Sequence, residues 1–247
     1  MFGLPTSIRA CLFDLDGVMT KTAIVHARAW KDTFDAFLRD RAERPVEPFV
    51  PFDVGSDYGR YVDGMPRLEG TRSFLAARGI TLPEGEPDDR PGTATVHGLG
   101  NQKNELVLRL LAMGGVEVFD GSVRYVRAVR AAGLRTAVVS SSVNTAEVLA
   151  AGGIAELFDV RIDGVVARER GLRGKPAPDT FLAGAAALRV TPSEAAVFED
   201  AVAGVAAGRA GGFGLVVGVD RVGQADELRA RGADVVVGDL AELLEDR

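Results

Sequence analysis

Two aspartates, Asp14 and Asp16, lie two residues apart directly after an apolar run near the start of the sequence. The run, Ala10 to Phe13, has no polar alternation, which is typical of a strand buried on both faces of a parallel sheet. Because aspartate is rare within strands, a pair at the end of a buried strand calls for an explanation. Carboxylates at this spacing could supply a nucleophile and a proton donor, hold a hard cation through oxygen, or simply cap a loop.

Polar side chains also follow two later apolar runs. Ser140 and Ser141 come directly after one of them, Glu199 and Asp200 come after the other, and Lys175 precedes a predicted helix. Ligands of open parallel sheets bind beyond the carboxyl ends of the strands, so we expect these side chains to lie on one rim. Carboxylates, hydroxyls and an ammonium group on one rim indicate a site rather than a set of solvated loop tips.

The chemistry of these groups fits phosphoryl transfer. Asp14 can attack phosphorus and form an aspartyl phosphate, and Asp16 can act as general acid and base on the substrate oxygen. Because a carboxylate repels a phosphate monoester, a divalent cation is needed, and oxygen ligands from Asp14 and Asp200 suit Mg²⁺. Lys175 and the hydroxyl of Ser140 can hold the transferring oxygens. The motif Gly-x-x-x-x-Gly-Lys is absent from the sequence, which excludes a P-loop enzyme.

Composition narrows the class of protein further. With 47% apolar and 26% charged residues, a net charge of −6 and a pI near 5.1, the chain resembles a soluble globular protein, and a nucleic-acid partner is not expected. The one cysteine, Cys11, cannot form an intrachain disulfide, which suits a reducing compartment. No run approaches membrane-spanning length, so we expect a cytoplasmic protein without a membrane partner. The two histidines exclude a multi-histidine metal site, and no apolar seam argues for more than a monomer.

The elements that must position the polar groups fall into two blocks. From residue 116 onward, apolar runs alternate with helical patterns, which predicts a parallel sheet covered on both faces. Residues 21–115 show helices and loops without a clear strand. We therefore predict an α/β core formed by residues 1–20 and 116–247, with residues 21–115 inserted after the first strand as a small α-helical cap domain.

Within the inserted block, apolar residues at helical spacing predict three helices: Ala23 to about Arg41, about Leu68 to Arg78, and Asn101 to Met113. Pro45, Pro48 and Pro51 are expected to end the first helix and to keep the following chain extended. The segment Leu82 to Gly100 is rich in Pro, Gly, Asp and Glu, and it is predicted to be a long surface loop.

The four polar segments resemble, in order, the four motifs of the haloacid dehalogenase superfamily: Asp14-Leu15-Asp16-Gly17, Ser140, Lys175 to Asp179, and Glu199-Asp200. The resemblance implies a Rossmann-like core and an aspartyl-phosphate intermediate. It also implies Mg²⁺ bound by Asp14, by the carbonyl of Asp16, and by the acidic pair Glu199 and Asp200. The inserted helical block resembles the small cap that one branch of the superfamily carries between its first two motifs.

Within that superfamily the sequence is most similar to the β-phosphoglucomutase subfamily. The segment Thr22 to Lys31 resembles its hinge and first cap helix, and Asp63 to Arg67 resembles a cap loop whose arginine grips the distal phosphate of a sugar bisphosphate. Lys103 resembles a cap lysine that reaches the sugar, and Ser140 to Asn144 resembles the phosphate loop. The similarity implies these substrate-binding residues: Thr22, His26, Trp30, Gly64, Arg67, Lys103 and Asn144.

Two positions depart from the subfamily pattern. Lys21 stands where an acidic residue is usual at the cap hinge, and Val143 stands where the phosphate loop usually has a lysine. Four cap residues also fit purely structural roles, as solvated charges, a helix histidine or part of a hydrophobic core: Arg67, Lys103, His26 and Trp30.

Three functions are compatible with these residues. The similarity implies a mutase that interconverts a β-hexose 1-phosphate and a hexose 6-phosphate, with a hexose 1,6-bisphosphate as activating intermediate. The alternative is a phosphatase for a sugar phosphate or another small metabolite, in which water attacks phosphorylated Asp14. A non-catalytic phosphosugar-binding regulator would be expected to have lost Asp14, Asp16, Lys175 or Asp200, and all four are present.

Overall fold

The larger part of the protein is built on one six-stranded parallel sheet, seen in a computed structural model that describes residues 2–42 and 49–244. Its strands are β1 (Ala10–Phe13), β2 (Arg135–Val139), β3 (Val160–Ile162), β4 (Ala195–Glu199), β5 (Leu215–Val219) and β6 (Val235–Val237). They lie in the order β3-β2-β1-β4-β5-β6. The predicted α/β fold with a parallel, Rossmann-type sheet is confirmed.

β1 occupies the position where the strand order reverses, with β2 on one side and β4 on the other. Phe13, the last residue of β1, lies opposite Val138 and Phe198, so the carboxyl ends of the three strands are level. In open parallel sheets, ligands bind in the crevice at such a reversal. The register therefore brings the residues that follow β1, β2 and β4 to one place.

The helices are numbered in chain order. They are α1 (Ala23–Ala42), α2 (Asp57–Tyr61), α3 (Arg67–Ala77), α4 (Val96–Gly114), α5 (Asp120–Ala131), α6 (Thr145–Ala151), α7 (Gly164–Glu169), α8 (Asp179–Ala187), α9 (Val202–Ala210) and α10 (Ala225–Ala230). Of these, α1 to α4 fall within the residues inserted between β1 and β2. Within the described residues, 3₁₀ helices lie at Ala155–Leu157, Pro192–Glu194 and Leu240–Leu244. Among residues 2–42 and 49–244, no helix is both long and apolar enough to cross a membrane.

The central strand is buried on both faces, as its lack of polar alternation predicts. Leu12 belongs to an apolar cluster with Phe181 of α8, whereas Phe13 stacks on Phe198 at 4.5 Å and meets Tyr125 of α5 edge-on. Since successive strand residues point to opposite faces, both sides of β1 are covered. Cys11, also in this strand, is buried and free.

The chain divides into two compact units, Met1–Lys21 with Val116–Arg247, and Thr22–Gly115. This division differs from the predicted domain boundary only in placing Lys21 with the larger unit. The helices predicted from Ala23 and from about Leu68 are α1 and α3, with ends that differ by one residue. Of the prolines expected to follow the first helix, Pro45 and Pro48 lie outside the described residues.

The smaller unit has its own aromatic core. Trp30 stacks on Phe34 with ring centroids 5.0 Å apart, and Phe34 contacts both Phe52 and Phe74. The loop predicted over Leu82 to Gly100 is wrong at its end, because α4 already begins at Val96. The Thr95 hydroxyl accepts a hydrogen bond from the Gly98 N–H at 2.9 Å and so caps the helix. The glycines of this first turn are the reason that it was predicted to be loop.

In the larger unit, the segments on either side of the insertion run antiparallel to each other. The Lys21 N–H donates to the Glu117 carbonyl and the Phe119 N–H to the Met19 carbonyl, both at 2.9 Å. The Lys21 ammonium group also contacts the Glu117 carboxylate at 2.8 Å. The cation that departs from the subfamily pattern therefore has an acidic partner on the neighbouring segment.

Candidate active site

Asp14 lies directly beyond β1 and is buried. Its N–H donates to the carbonyl of Phe198 at 2.9 Å, which extends the pairing of β1 with β4 by one step and fixes where the side chain begins. The predicted nucleophile is therefore positioned directly by the hydrogen bonds of the sheet, with no loop between the strand and Asp14.

Lys175 joins the ends of three strands. Its ammonium group donates to Asp14 Oδ1 and to Glu199 Oε1, each at 2.5 Å, and to the carbonyl of Val139 at 3.2 Å. The side chain is only 1% exposed. Burial by itself lowers the pKa of Lys175, but the Asp14 and Glu199 carboxylates outweigh burial and raise it, so the lysine is charged at neutral pH.

Three buried carboxylates, those of Asp14, Glu199 and Asp200, can each bring one oxygen within 4.8 Å of the others. Burial raises the pKa of Asp14 well above its usual range; Lys175 opposes this effect, whereas Glu199 and Asp16 reinforce it. Three carboxylates beside one ammonium group leave an excess of negative charge, which a divalent cation would balance. An all-oxygen donor set of this kind fits Mg²⁺.

Two glycines allow the carboxylates to approach the backbone. At Gly17, which has φ +87°, an added Cβ would lie 1.8 Å from Asp200 Oδ2. At Gly204 an added Cβ would lie 1.7 Å from Glu199 Oε1. The other oxygen of Glu199 accepts from the Ala201 N–H at 2.8 Å, so this side chain is held from two sides. The sequence motifs include Gly17, but the role of Gly204 was not anticipated.

Asp16 is half-buried, and its carboxylate is not one of the three that cluster. Its predicted role as a metal ligand concerns its main-chain carbonyl and stays a prediction. The main chain of Asp16 pairs with that of Thr20 in an isolated β-bridge. The Gly17 N–H donates to the Thr20 carbonyl at 2.7 Å. This tight turn fixes the main chain directly after Asp16.

The predicted phosphate loop follows β2. The Ser140 N–H donates to the Ile162 carbonyl at 3.0 Å, and the buried Ser140 hydroxyl accepts from the Ser142 N–H at 3.1 Å. Asn144 precedes α6 and donates its N–H to the Ser142 hydroxyl at 3.2 Å, while Ser141 lies between these anchored residues. The loop is therefore fixed by its own hydroxyl groups and by the end of β3.

Val143, where a lysine was expected, packs against the start of α7. A Cβ added at Gly164 would lie 3.0 Å from Val143 Cγ1 and 2.8 Å from the Ser141 carbonyl oxygen. The Gly164 N–H also donates to the Ser142 carbonyl at 2.9 Å. The loop and helix thus meet through backbone atoms, and the valine fills this contact with apolar surface.

In the smaller unit, α1 and α4 bring three of the predicted substrate-binding residues together. Lys103 Nζ lies 2.7 Å from His26 Nδ1 and 5.0 Å from the centre of the Trp30 ring. Both Lys103 and Trp30 are buried, so the alternative interpretation of Lys103 as a solvated surface charge is wrong. Because Trp30 also stacks on Phe34, it belongs to the unit's core as well as to this cluster.

The remaining cap residues lie at element boundaries. Arg67 is the first residue of α3, and its Nε would be 3.4 Å from a Cβ at Gly100 of α4. Gly64 has φ +69°, a conformation that favours glycine, in the turn before α3. Thr22 is buried, and its carbonyl accepts from the His26 N–H at 3.0 Å. The structure leaves the substrate-binding roles of these residues as predictions.

A model of the haloacid dehalogenase-like hydrolase family matches residues 8–212, which contain all four motif segments. The chain belongs to this family. It is 59% identical to the β-phosphoglucomutase of Mycobacterium bovis over 247 residues, covering 99% of this chain and 94% of that protein. The predicted superfamily, and with it an enzyme of phosphoryl transfer, is confirmed.

Solved structures agree on the fold. The β-phosphoglucomutase from Clostridium difficile superposes with a TM-score of 0.74 at 24% identity, covering 96% of this chain and 93% of that one. CbbY from Rhodobacter sphaeroides, solved as a mutant in complex with xylulose-(1,5)bisphosphate, superposes with a TM-score of 0.69 at 25% identity. That comparison covers 95% of this chain and 96% of CbbY.

Proposed function

We propose that this family member is a Mg²⁺-dependent β-phosphoglucomutase that interconverts a β-hexose 1-phosphate and a hexose 6-phosphate through a hexose 1,6-bisphosphate. The observation that carries the proposal is the 59% identity with the mycobacterial β-phosphoglucomutase over essentially the whole of both chains. The buried group of Asp14, Lys175, Glu199 and Asp200 supports it, because it contains a nucleophile, a cation and oxygen ligands.

In the proposed cycle Asp14 carries the phosphoryl group as an acyl phosphate. A hydroxyl oxygen of the sugar phosphate attacks that phosphorus, Asp16 takes the hydroxyl proton, and the bond from phosphorus to Asp14 breaks. The bisphosphate formed then presents its other phosphate. Asp14 attacks it, the bond to the sugar oxygen breaks, and Asp16 returns the proton to that oxygen.

Charge neutralisation comes from the groups around Asp14. Lys175 provides a fixed ammonium group, and the Ser140 hydroxyl and Ser141 provide hydrogen-bonding groups for the phosphoryl oxygens. Mg²⁺ bound by Asp14, Asp16, Glu199 and Asp200 would supply further positive charge to the transferring phosphoryl group. Because Asp14, Lys175 and Glu199 are buried and both carboxylates lie at the ends of strands, these interactions act with little reorganisation of the protein.

The smaller unit is proposed to recognise the rest of the substrate. Arg67 binds the phosphate that is not reacting, and the Lys103–His26 pair beside Trp30 contacts the sugar. Thr22 and Gly64 complete the smaller unit's part of the substrate-binding set, and Asn144 of the larger unit is its last member. A mutase needs this second phosphate site more than a phosphatase does, because it must retain the bisphosphate between its two transfers.

A phosphatase on the same core is the second candidate, since the matching family is one of hydrolases. In that case water attacks phosphorylated Asp14 and orthophosphate is released. The two activities share Asp14, Asp16 and Lys175, so the products distinguish them. A non-catalytic phosphosugar-binding regulator would have neither the mutase nor the phosphatase activity.

The deciding experiment follows products from β-glucose 1-phosphate incubated with the purified protein, Mg²⁺ and a trace of the 1,6-bisphosphate. We expect glucose 6-phosphate to form in excess over orthophosphate. Orthophosphate as the sole product would reject the mutase in favour of the phosphatase. Absence of both products across a panel of hexose phosphates would favour the regulator.

Arg67→Ala tests the second phosphate site. We expect mutase turnover to fall by about 10- to 100-fold, the value of one hydrogen bond to a charged group, while hydrolysis of a small aryl phosphate changes little. Arg72→Ala is the matched control, because Arg72 lies on the same helix but pairs with Glu69 and Glu84 at the surface. Equal losses on both substrates in Arg67→Ala would contradict its role as a phosphate clamp.

A further inference from the structure

Arg221 lies in the segment after β5, outside every sequence motif, yet its guanidinium group is held by five contacts. Nε donates to the Gly17 carbonyl at 2.9 Å, and the group lies 3.6 Å from the centre of the Phe119 ring. The remaining contacts are those of Nη1 with the Gly238 carbonyl (2.7 Å) and Asp239 Oδ2 (3.2 Å) and of Nη2 with Ser122 Oγ (3.5 Å). The side chain is 15% exposed, so these contacts are largely shielded from solvent.

The carbonyl that accepts from Arg221 belongs to Gly17, and the Asp200 carboxylate packs directly against this glycine. A Cβ at Gly17 would lie 1.8 Å from Asp200 Oδ2, so the carboxylate is in close contact with this backbone. A shift of the Gly17 backbone would therefore change the position that the Asp200 carboxylate can occupy. Ser122 fixes the next residue, because its hydroxyl donates to the Val18 carbonyl at 2.7 Å. Arg221 thus holds the turn that follows Asp14 and Asp16.

A second side chain of the same segment holds the other carboxylate loop. Gln224 Nε2 donates to the main-chain carbonyl of Asp200 at 2.9 Å. The segment is itself rigid, because Asp220 Oδ1 accepts the backbone N–H groups of Val222, Gly223 and Gln224 at 3.2, 2.7 and 2.8 Å. One short stretch, Asp220 to Gln224, therefore contacts the main chain of both loops that supply predicted metal ligands.

We propose that Arg221 and Gln224 are positioning residues that set the distance between the Asp14–Gly17 turn and Asp200, and hence the affinity of the site for Mg²⁺. The inference rests on the proposed function only in taking Mg²⁺ as the ion of this site. A fixed spacing matters because Mg²⁺ requires short oxygen distances in near-octahedral geometry. Partners that orient metal ligands commonly contribute 10- to 100-fold to metal affinity.

The test is calorimetric titration of the full chain with Mg²⁺, without substrate. Arg221→Lys keeps the charge but loses the planar fork, and Gln224→Met keeps the length but loses the donor. We expect each to raise the Mg²⁺ dissociation constant by roughly tenfold or more. Arg229→Lys is the matched control, because Arg229 follows on α10, is 57% exposed and pairs only at the surface with Asp226, so its Mg²⁺ affinity should equal that of the unchanged protein.

The same titration carries the outcomes that would overturn the proposal. If either folded variant, judged by near-ultraviolet circular dichroism, binds Mg²⁺ as tightly as the Arg229→Lys control, the segment has only a structural role. Should Arg221→Lys fail to fold, Gln224→Met decides the question. Failure of the unchanged protein to bind Mg²⁺ would also reject the proposal. Weakened Mg²⁺ binding in a protein that proves to be a phosphatase would leave this inference standing and reject the mutase alone.

Discussion

Replacing Lys175 with methionine would remove the ammonium group on which the buried carboxylates depend, at nearly constant side-chain length. The Asp14 and Glu199 oxygens, each 2.5 Å from Nζ, would lose both a hydrogen bond and a counter-charge. Loss of one partner from a buried ion pair costs about 3–5 kcal/mol. At about 2–4 °C per kcal/mol for a chain of this size, we expect the unfolding temperature to fall by roughly 6–20 °C at neutral pH.

Differential scanning calorimetry in the presence of a chelator measures this change. Lys21→Met is the matched control, because it removes an ion-paired lysine from the same unit at an exposed site and should have a much smaller effect. The double variant Lys175→Met with Glu199→Gln removes one of the stranded carboxylates, so part of the lost stability should return. A decrease in Lys175→Met no larger than that of Lys21→Met would refute the charge argument.

The pH dependence of the Lys175→Met variant gives an independent check. The pKa of Asp14 is already raised by burial and is held down only by Lys175, so the variant should raise it further. A carboxyl whose pKa is higher in the folded than in the unfolded state binds protons on folding, and its destabilising effect decreases as pH falls through the folded pKa. The stability deficit should therefore shrink between pH 8 and the acidic range, and a deficit independent of pH would contradict this reading.

Two further predictions concern the carboxylates themselves. Asp14→Asn should keep the fold, because it removes a charge from an acidic group, but it should abolish phosphoryl transfer, since an amide cannot form an acyl phosphate; turnover of β-glucose 1-phosphate by this variant would overturn the nucleophile assignment. Gly204→Ala places a Cβ 1.7 Å from Glu199 Oε1 and should lower the free energy of unfolding in urea by about 1–3 kcal/mol. Gly59→Ala, whose Cβ would meet nothing within 4 Å, should be neutral or stabilising, and equal losses in both variants would show that the Glu199 approach is unimportant.

The sequence predicted the core well because its signals there are local. The apolar run Ala10–Phe13 and the polar residues after it describe a buried strand and its end without reference to the rest of the chain. The parallel register then brings Asp14, Ser140 and Glu199 to one edge, as the rule for open sheets requires.

Other features could not be predicted because their cause lies in packing or in very short segments. Helix α4 begins five residues before its expected start. Gly98 and Gly100 lower the local helix propensity and so hid this turn from sequence inspection. The Thr95 cap and the core contacts of Leu99 stabilise the turn in the folded protein. The six-residue helix α7 is too short for periodicity, although its Asp163 cap is a usable signal. Arg221 and Gln224 hold backbone carbonyls, which leave no trace in the spacing of residues.

Lys21 shows how a departure from a motif can be balanced elsewhere. Its charge is opposite to the one usual at the hinge, but Glu117, near the other end of the insertion, places a carboxylate 2.8 Å away. The pairing is between side chains 96 positions apart in the sequence, so inspection of the motif alone could not reveal it.

The position of β1 at the centre of the sheet also has a consequence for synthesis of the chain. Ala10 pairs with Arg135 and Ala195, so the strand that carries Asp14 leaves the ribosome long before either neighbour exists. At about 5–20 residues per second, its second neighbour follows only after roughly 10–40 s. Until β2 has been synthesised, roughly 6–25 s after β1, this buried strand has no partner in the sheet. The intervening residues Thr22–Gly115 form a compact unit that shortens the path β1 must later close.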